Sequence, residues 1–241
     1  MTAQTEQFSR ELNLSSSALK YLEERFLTPE DVKNFNIGFC PSTSSYPFDF
    51  LNGRLIVPIF DAYGNEVAYA GRKLEAYGAQ VKDFYQEKIN SLDGLNRYMK
   101  WRQSKWINSP YKKSEHLFNL NKAKHKAYSL NFCFIVEGYF DAIHLAKMGH
   151  ENVVAICGTS LTDRHCELLF RYCNNIVLML DGDVAGQKAT IKSVHKARQN
   201  MLFSHVVKMP DGLDPDQLTK EQLELIKKDV INSDEELYIM L

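Results

Sequence analysis

Residues 132–141 read FCFIVEGYFD, residues 153–160 VVAICGTS and residues 176–186 IVLMLDGDVAG. Each stretch opens on a short apolar run and closes on acidic or small residues. Phe132–Val136, Val153–Cys157 and Ile176–Leu180 are of buried-strand length, with His205–Met209 as a fourth strand. Amphipathic segments separate them: Phe140–Met148, Thr162–Tyr172 and Val184–Met201. Short apolar runs alternating with helices predict a parallel sheet covered on both faces.

The ends of those strands carry the chemistry. Glu137 follows the first strand, and Asp181 and Asp183 follow the third with Gly182 between them. Ligands of open α/β sheets bind beyond the carboxyl ends of the strands, where all three acids fall. A fourth strand ends before Asp211, Asp214 and Asp216, in a loop stiffened by Pro215. Crowded carboxylates repel and stay ionised together mainly when cations hold them. All-oxygen donors select Mg²⁺ or Mn²⁺, and two such ions serve phosphoryl transfer. The competing reading of each acid alone is a helix cap: Asp183 precedes one helix, and Asp216 stands near the start of another.

Working outward, residues 4–35 read as helical, with Ser15–Ser17 and Thr28–Pro29 as start signals. Arg54–Phe60 and Glu66–Ala70 read as a hairpin around Gly64. Residues 75–104 read as helix plus loop, and Thr219–Leu241 as a short helical tail. Net charge is −1, but residues 96–126 hold nine basic and one acidic side chain. That block fits a polyanion or a solvated loop. Trp101 and Trp106 suit either the core or base stacking.

The chain has 241 residues, 44% hydrophobic, which excludes disorder as the main state. Its apolar runs are too short to span a membrane, and it opens on no secretory pattern, so a cytoplasmic setting is expected. The five cysteines include no C-x-x-C pair; free thiols and no zinc are expected.

These motifs together resemble the TOPRIM domain, in the form found in DnaG-like bacterial primases. The resemblance rests on Ile135–Asp141, Gly158–Thr159–Ser160, Asp181–Gly186 and Asp214–Pro215–Asp216. Upstream, Tyr21–Arg25 through Phe39, Arg54–Asp61, Ala70–Gly71–Arg72, Lys105–Pro110 and Lys113–Leu120 resemble successive segments of the primase catalytic core. Residues 75–104 stand out as inserted. The resemblance implies a mixed α+β N-terminal subdomain over residues 1–127, a TOPRIM subdomain over 128–217 and a short helical tail over 218–241. It implies metal ligands at Glu137, Asp181, Asp183, Asp214 and Asp216, the first three being the candidate catalytic residues. It implies template and nucleotide contacts at Arg54, Arg72, Lys105, Asn108 and Lys113.

The expected function is a DNA primase, a DNA-directed RNA polymerase that joins ribonucleoside triphosphates into short RNA primers on single-stranded DNA with Mg²⁺ or Mn²⁺. A replicative helicase is the partner the family implies, and a compact phage primase in a host cytoplasm fits the pattern. The alternatives are a TOPRIM nuclease using the same acids with water, and a non-catalytic single-stranded DNA-binding module.

Overall fold

Thr2, Ser15 and Thr28 each accept a hydrogen bond from a backbone amide three residues on, and a helix starts after each. These are α1 (Ala3–Asn13), α2 (Ser16–Glu24) and α3 (Pro29–Asn34). Pro29 sits at the first position of α3, where a missing N–H costs nothing. The structure, a computed structural model, describes residues 2–42, 44, 47–89, 92–207, 209 and 212–231. It divides into two compact units: residues 1–59 with 66–111, and residues 60–65 with 112–241.

In the first unit a four-stranded sheet runs in the order β1 (Gly38–Cys40), β2 (Arg54–Phe60), β3 (Glu66–Lys73), β4 (Trp106–Asn108). β1 pairs antiparallel with β2, and β4 with β3, setting Arg72 opposite Trp106 and Ala70 opposite Asn108. Strand β3 runs three residues beyond the sequence expectation because β4 pairs with its far end. Helix α1 lies close over β1: a Cβ at Gly38 would stand 2.5 Å from the Cβ of Phe8. Phe8, Cys40, Leu51, Ile56 and Tyr69 form the core beneath it.

The segment expected as helix plus loop forms two helices, α4 (Gly78–Ile89) and α5 (Leu92–Gln103). Their own core is Val81, Tyr85 and Trp101. Three polar contacts tie this helical pair to the residues before β2. The Trp101 indole N–H donates to Asn52 O at 2.7 Å, the Tyr85 hydroxyl donates to Asp49 O at 2.7 Å, and Arg97 pairs with Asp49 at 3.0 Å. Trp101 is therefore a core residue and unavailable for base stacking.

In the second unit α6 (Leu120–Leu130) leads into β5 (Phe132–Val136), then α7 (Tyr139–Lys147), β6 (Val153–Ala155), α8 (Asp163–Phe170), β7 (Asn175–Leu178), α9 (Val184–Gln199), β8 (Phe203–Val206) and α10 (Lys220–Ile231). The sheet order is β6-β5-β7-β8, parallel throughout. Its inner strands are buried at nearly every position, which is why they read as continuous apolar runs. The mixed first unit and parallel second unit agree with the expected fold class.

Three strands of this sheet differ from expectation in their limits, and the third runs Asn175–Leu178 rather than Ile176–Leu180. The strand expected over Val153–Cys157 stops at Ala155, and Cys157 and Gly158 turn with positive φ of 51° and 79°. The fourth strand begins at Phe203, not His205, because it pairs with β7 from Asn175 onward. As an edge strand it is half-exposed, so its polarity hid its start. Part of the expected tail forms α10; Asp211 and residues 232–241 lie outside the described residues. The five cysteines are buried free thiols, and among the described residues no helix is long and apolar enough to cross a membrane.

Candidate active site

The acidic site is built by strand ends and helix starts of the second unit. Glu137 follows β5, and Asp181 and Asp183 follow β7, which pairs directly with β5. The Asp181 amide donates to Glu137 Oε1 at 3.2 Å, linking the two strand ends. Asp183 caps α9 by accepting from the Gly186 amide at 2.7 Å. Its capping role, weighed on sequence as the alternative, thus coexists with its place at the rim. Gly186 is required by closeness, since a Cβ there would lie 2.1 Å from Asp181 O. The helix start and the acidic turn are pressed together.

Asp214 and Asp216 flank Pro215 in a short 3₁₀ turn ahead of α10. The Asp214 amide donates to Gln217 Oε1 at 3.0 Å, so this loop carries its own cap. Its charges reach the strand-end acids. Burial raises the Asp181 carboxyl to about 7, with the charges of Glu137, Asp141, Asp214 and Asp183 adding to it. Glu137 is also raised, chiefly by burial, then by Asp183 and Asp214, while the Asp181 amide opposes the rise.

Asp141 belongs to this cluster and was not among the expected site residues. It is buried, and its carboxylate accepts from the Gly138 amide at 2.7 Å. Burial and then the charge of Asp216 raise it to about 7, while amides of Gly138 and Asp216 oppose. It touches both the loop after β5 and the loop before α10. The sequence signal was its place three residues after Gly138, the spacing of a helix-capping acid.

Among the described residues no three acids, histidines or cysteines close into a preformed metal cage. The donor set still fits a hard divalent cation. It is all oxygen, its charges add to the raised proton affinity of Glu137 and Asp181, and Asp181 Oδ1 is buried without a hydrogen-bond partner among the described residues. A buried lone pair left unspent is costly unless a cation uses it.

The expected basic residues divide. Arg54 is fully buried, and its guanidinium donates to Trp101 O at 2.9 Å, Ser104 O at 3.1 Å and Gly71 O at 3.2 Å. Burial lowers it to about 10, which still leaves it charged at neutral pH. Its expected nucleic-acid contact is corrected: the side chain is fully buried, and its Nη1 and Nη2 groups donate to the chain's own carbonyls. Arg72 lies over the rings of Tyr21 and Trp106, at 5.8 and 5.7 Å to the centroids. Lys105 is exposed, and Asn108 is half-buried on β4.

Arg25, also missed on sequence, lies over the other partner of this stack, 5.4 Å from the Tyr21 centroid, and donates to its hydroxyl at 2.9 Å. The Tyr21–Arg25 spacing of one helical turn was its only signal. In the second unit Lys113 donates through Nζ to Cys157 O at 3.1 Å, on the turn after β6. His165 holds that segment by its ring contact to Lys113 O at 2.9 Å.

Residues 134–231 match the Toprim-like family. A DNA primase of Lactococcus lactis is 31% identical over 237 residues, covering 86% of this chain and 33% of that protein. A DNA primase of Rickettsia felis is 31% identical over 240 residues, with 84% and 36% covered. The chain spans about a third of the length of these relatives. Among solved structures, the Escherichia coli primase catalytic core gives a TM-score of 0.74 at 27% identity, covering 95% of this chain and 78% of that one. The zinc-binding and RNA polymerase domains of the Aquifex aeolicus primase give 0.76 at 27%, with 95% and 58% covered. The DnaG catalytic domain bound to single-stranded DNA gives 0.74 at 27%, with 94% and 76% covered.

Proposed function

Because this chain is a bacterial-type, DnaG-like primase core with a Toprim-like domain, we propose that it acts as a DNA primase. It joins ribonucleoside triphosphates into short RNA primers on single-stranded DNA. The observation that carries the reading is the acidic rim of the second unit. The charges of Asp183 and Asp214 help raise the proton affinity of Glu137 and Asp181, and Asp181 Oδ1 is buried without a hydrogen-bond partner among the described residues.

Glu137, Asp181, Asp183, Asp214 and Asp216 would hold Mg²⁺ or Mn²⁺. When bound, such ions offset triphosphate charge and lower the cost of a nucleophilic 3′-oxygen. The chain's part is to place the carboxylates. The Asp181 amide fixes Glu137, the Gly186 amide fixes Asp183, and Asp141 ties the loops that carry Glu137 and Asp216. In the reaction the primer 3′-hydroxyl attacks the α-phosphate, loses its proton and displaces pyrophosphate. Arg72, Lys105 and Asn108 neutralise or bond template phosphates without reading sequence, and Lys113 contributes positive charge beside the turn after β6.

The test is incubation with single-stranded DNA, ribonucleotides and Mg²⁺ or Mn²⁺. Short RNA products are expected. Shortened DNA would instead assign a nuclease, and bound but unchanged DNA a binding module.

A further inference from the structure

Three grips along α7 hold the segment that carries Asp214 and Asp216. Asp141, in the first turn of α7, accepts from the Asp216 amide. One helical turn on, half-buried His144 places Nε2 2.9 Å from Leu218 O, the carbonyl that follows the acidic turn. Past the end of α7, His150 Nε2 stands 3.8 Å from Glu224 Oε1 on α10.

The partner fixes the chemistry of the second grip. A backbone carbonyl only accepts, so Nε2 of His144 carries the proton and donates it. Leu218 closes the 3₁₀ turn Pro215–Gln217, and its side chain is buried. The third grip is shaped by the end of α7. Gly149 takes a positive φ of 97°, and the amides of Gly149 and His150 return to Ala146 O and Leu145 O at 3.0 Å each. That ending sets the His150 ring edge-on to Phe134, 5.5 Å between centroids.

The acidic turn does not need α7 for its local structure. It carries its own cap, with the Asp214 amide on Gln217 Oε1. The start of α10 carries another: the Thr219 amide donates to Gln222 Oε1 at 2.8 Å, and the Gln222 amide to Thr219 Oγ1 at 3.2 Å. Buried Leu218 and Leu223 dock this segment, but apolar burial is non-directional and leaves its exact position open. The directional bond from His144 supplies what capping and burial do not, which is placement.

We propose that His144 is a positioning residue that holds the Asp214–Asp216 turn against the strand-end acids, so that nucleotide affinity at the acidic rim depends on a contact outside it. The proposal rests on the primase reading for its ligand, a metal-bound nucleoside triphosphate. Held there, Asp214 lies close enough for its charge to act on Glu137 and Asp181. His150 and Glu224 form a second hold farther along the same segment.

The experiment uses the full chain and two variants. His144→Phe keeps a ring and loses the donor, whereas His144→Gln keeps an N–H near the same place; circular dichroism checks both folds. Hydrogen exchange of the Gln217 and Leu218 amides, which close the turn onto Asp214 O and Pro215 O, is followed without metal. Titration of labelled GTP with Mn²⁺ reads the site. In His144→Phe, exchange should quicken about tenfold and GTP affinity fall about tenfold, the usual worth of one such bond. Oligothymidylate affinity in chelator should not change, and His144→Gln should recover most of both losses. Parent exchange and parent GTP affinity in His144→Phe overturn the proposal. So does an equal loss of affinity in both variants with exchange unmoved. If the unaltered chain binds no GTP or makes no primers, the primase reading fails, and the exchange comparison still decides whether His144 holds the turn.

Discussion

Gly186→Ala tests whether the start of α9 positions the acidic rim. The added methyl would stand 2.1 Å from Asp181 O and 2.8 Å from Asp181 C, backbone atoms that cannot swing aside. Real Cβ contacts essentially never fall below 3.0 Å, so the turn or the helix must move by about 1 Å. Two effects compete. Alanine is favoured over glycine within a helix by about 1 kcal/mol, whereas overpacking costs about 1–3 kcal/mol. With a backbone clash this short, overpacking wins, and we expect a net loss of about 1–2 kcal/mol. The larger effect falls on function. The Gly186 amide is the donor to Asp183, and Asp181 is the residue pushed, so both carboxylates shift together. A misplacement of about 1 Å costs on the order of a hundredfold in rate. Urea unfolding of the metal-free chain and initial rates of primer synthesis measure the two numbers. A variant as stable and as active as the parent would refute the claim that this close approach sets the rim.

Arg54→Lys should lose about 2–4 kcal/mol in urea unfolding, because carbonyls of Gly71, Trp101 and Ser104 lose a fixed donor; its salt slope for single-stranded DNA should stay at the parent value, and a slope shallower by about 0.7 with unchanged stability would make Arg54 a phosphate contact. The double change Asp214→Asn, Asp216→Asn should weaken Mn²⁺-dependent ribonucleotide binding at least tenfold and leave DNA binding in chelator unchanged; a titration of labelled nucleotide reads this, and surviving affinity would reduce the loop to a helix cap. Asp141 and Asp181 are raised from 3.8 to about 7, so the folded chain holds protons that the unfolded chain releases between those values. Metal-free stability should therefore fall as pH rises from about 4 to about 7, and Asp181→Asn should flatten the fall; a melting temperature that rises over that window would contradict the assigned coupling.

The parallel sheet was legible because burial on both faces writes β5, β6 and β7 as unbroken apolar runs. Glu137, Asp181 and Asp183 were legible as acids placed where those runs stop. Strands β1 and β4 were not. Each has three residues, and their existence depends on pairing with β2 and β3 rather than on any local period. Arg54 misled because a basic residue at a strand start usually faces water, whereas here backbone carbonyls from three other segments converge on it. That convergence is a long-range fact. Asp141 was hidden for a related reason: its capping spacing is local, but its importance comes from Asp216, 75 positions later. The two helices α4 and α5 carried a weak apolar stripe, since their core is aromatic and partly polar.

The central claim is that the carboxylates of the second unit hold the ions used for nucleotidyl transfer. Primer synthesis by Asp181→Asn, beside the unaltered chain at equal folded fraction, tests it most directly. Removing one charge from a mutually repelling cluster should leave the metal-free fold intact or firmer. The account predicts short RNA products from the unaltered chain with Mg²⁺ or Mn²⁺, and a loss of at least a thousandfold, about 4 kcal/mol of transition-state stabilisation, in the variant. Synthesis by Asp181→Asn within a few-fold of the unaltered chain would contradict it.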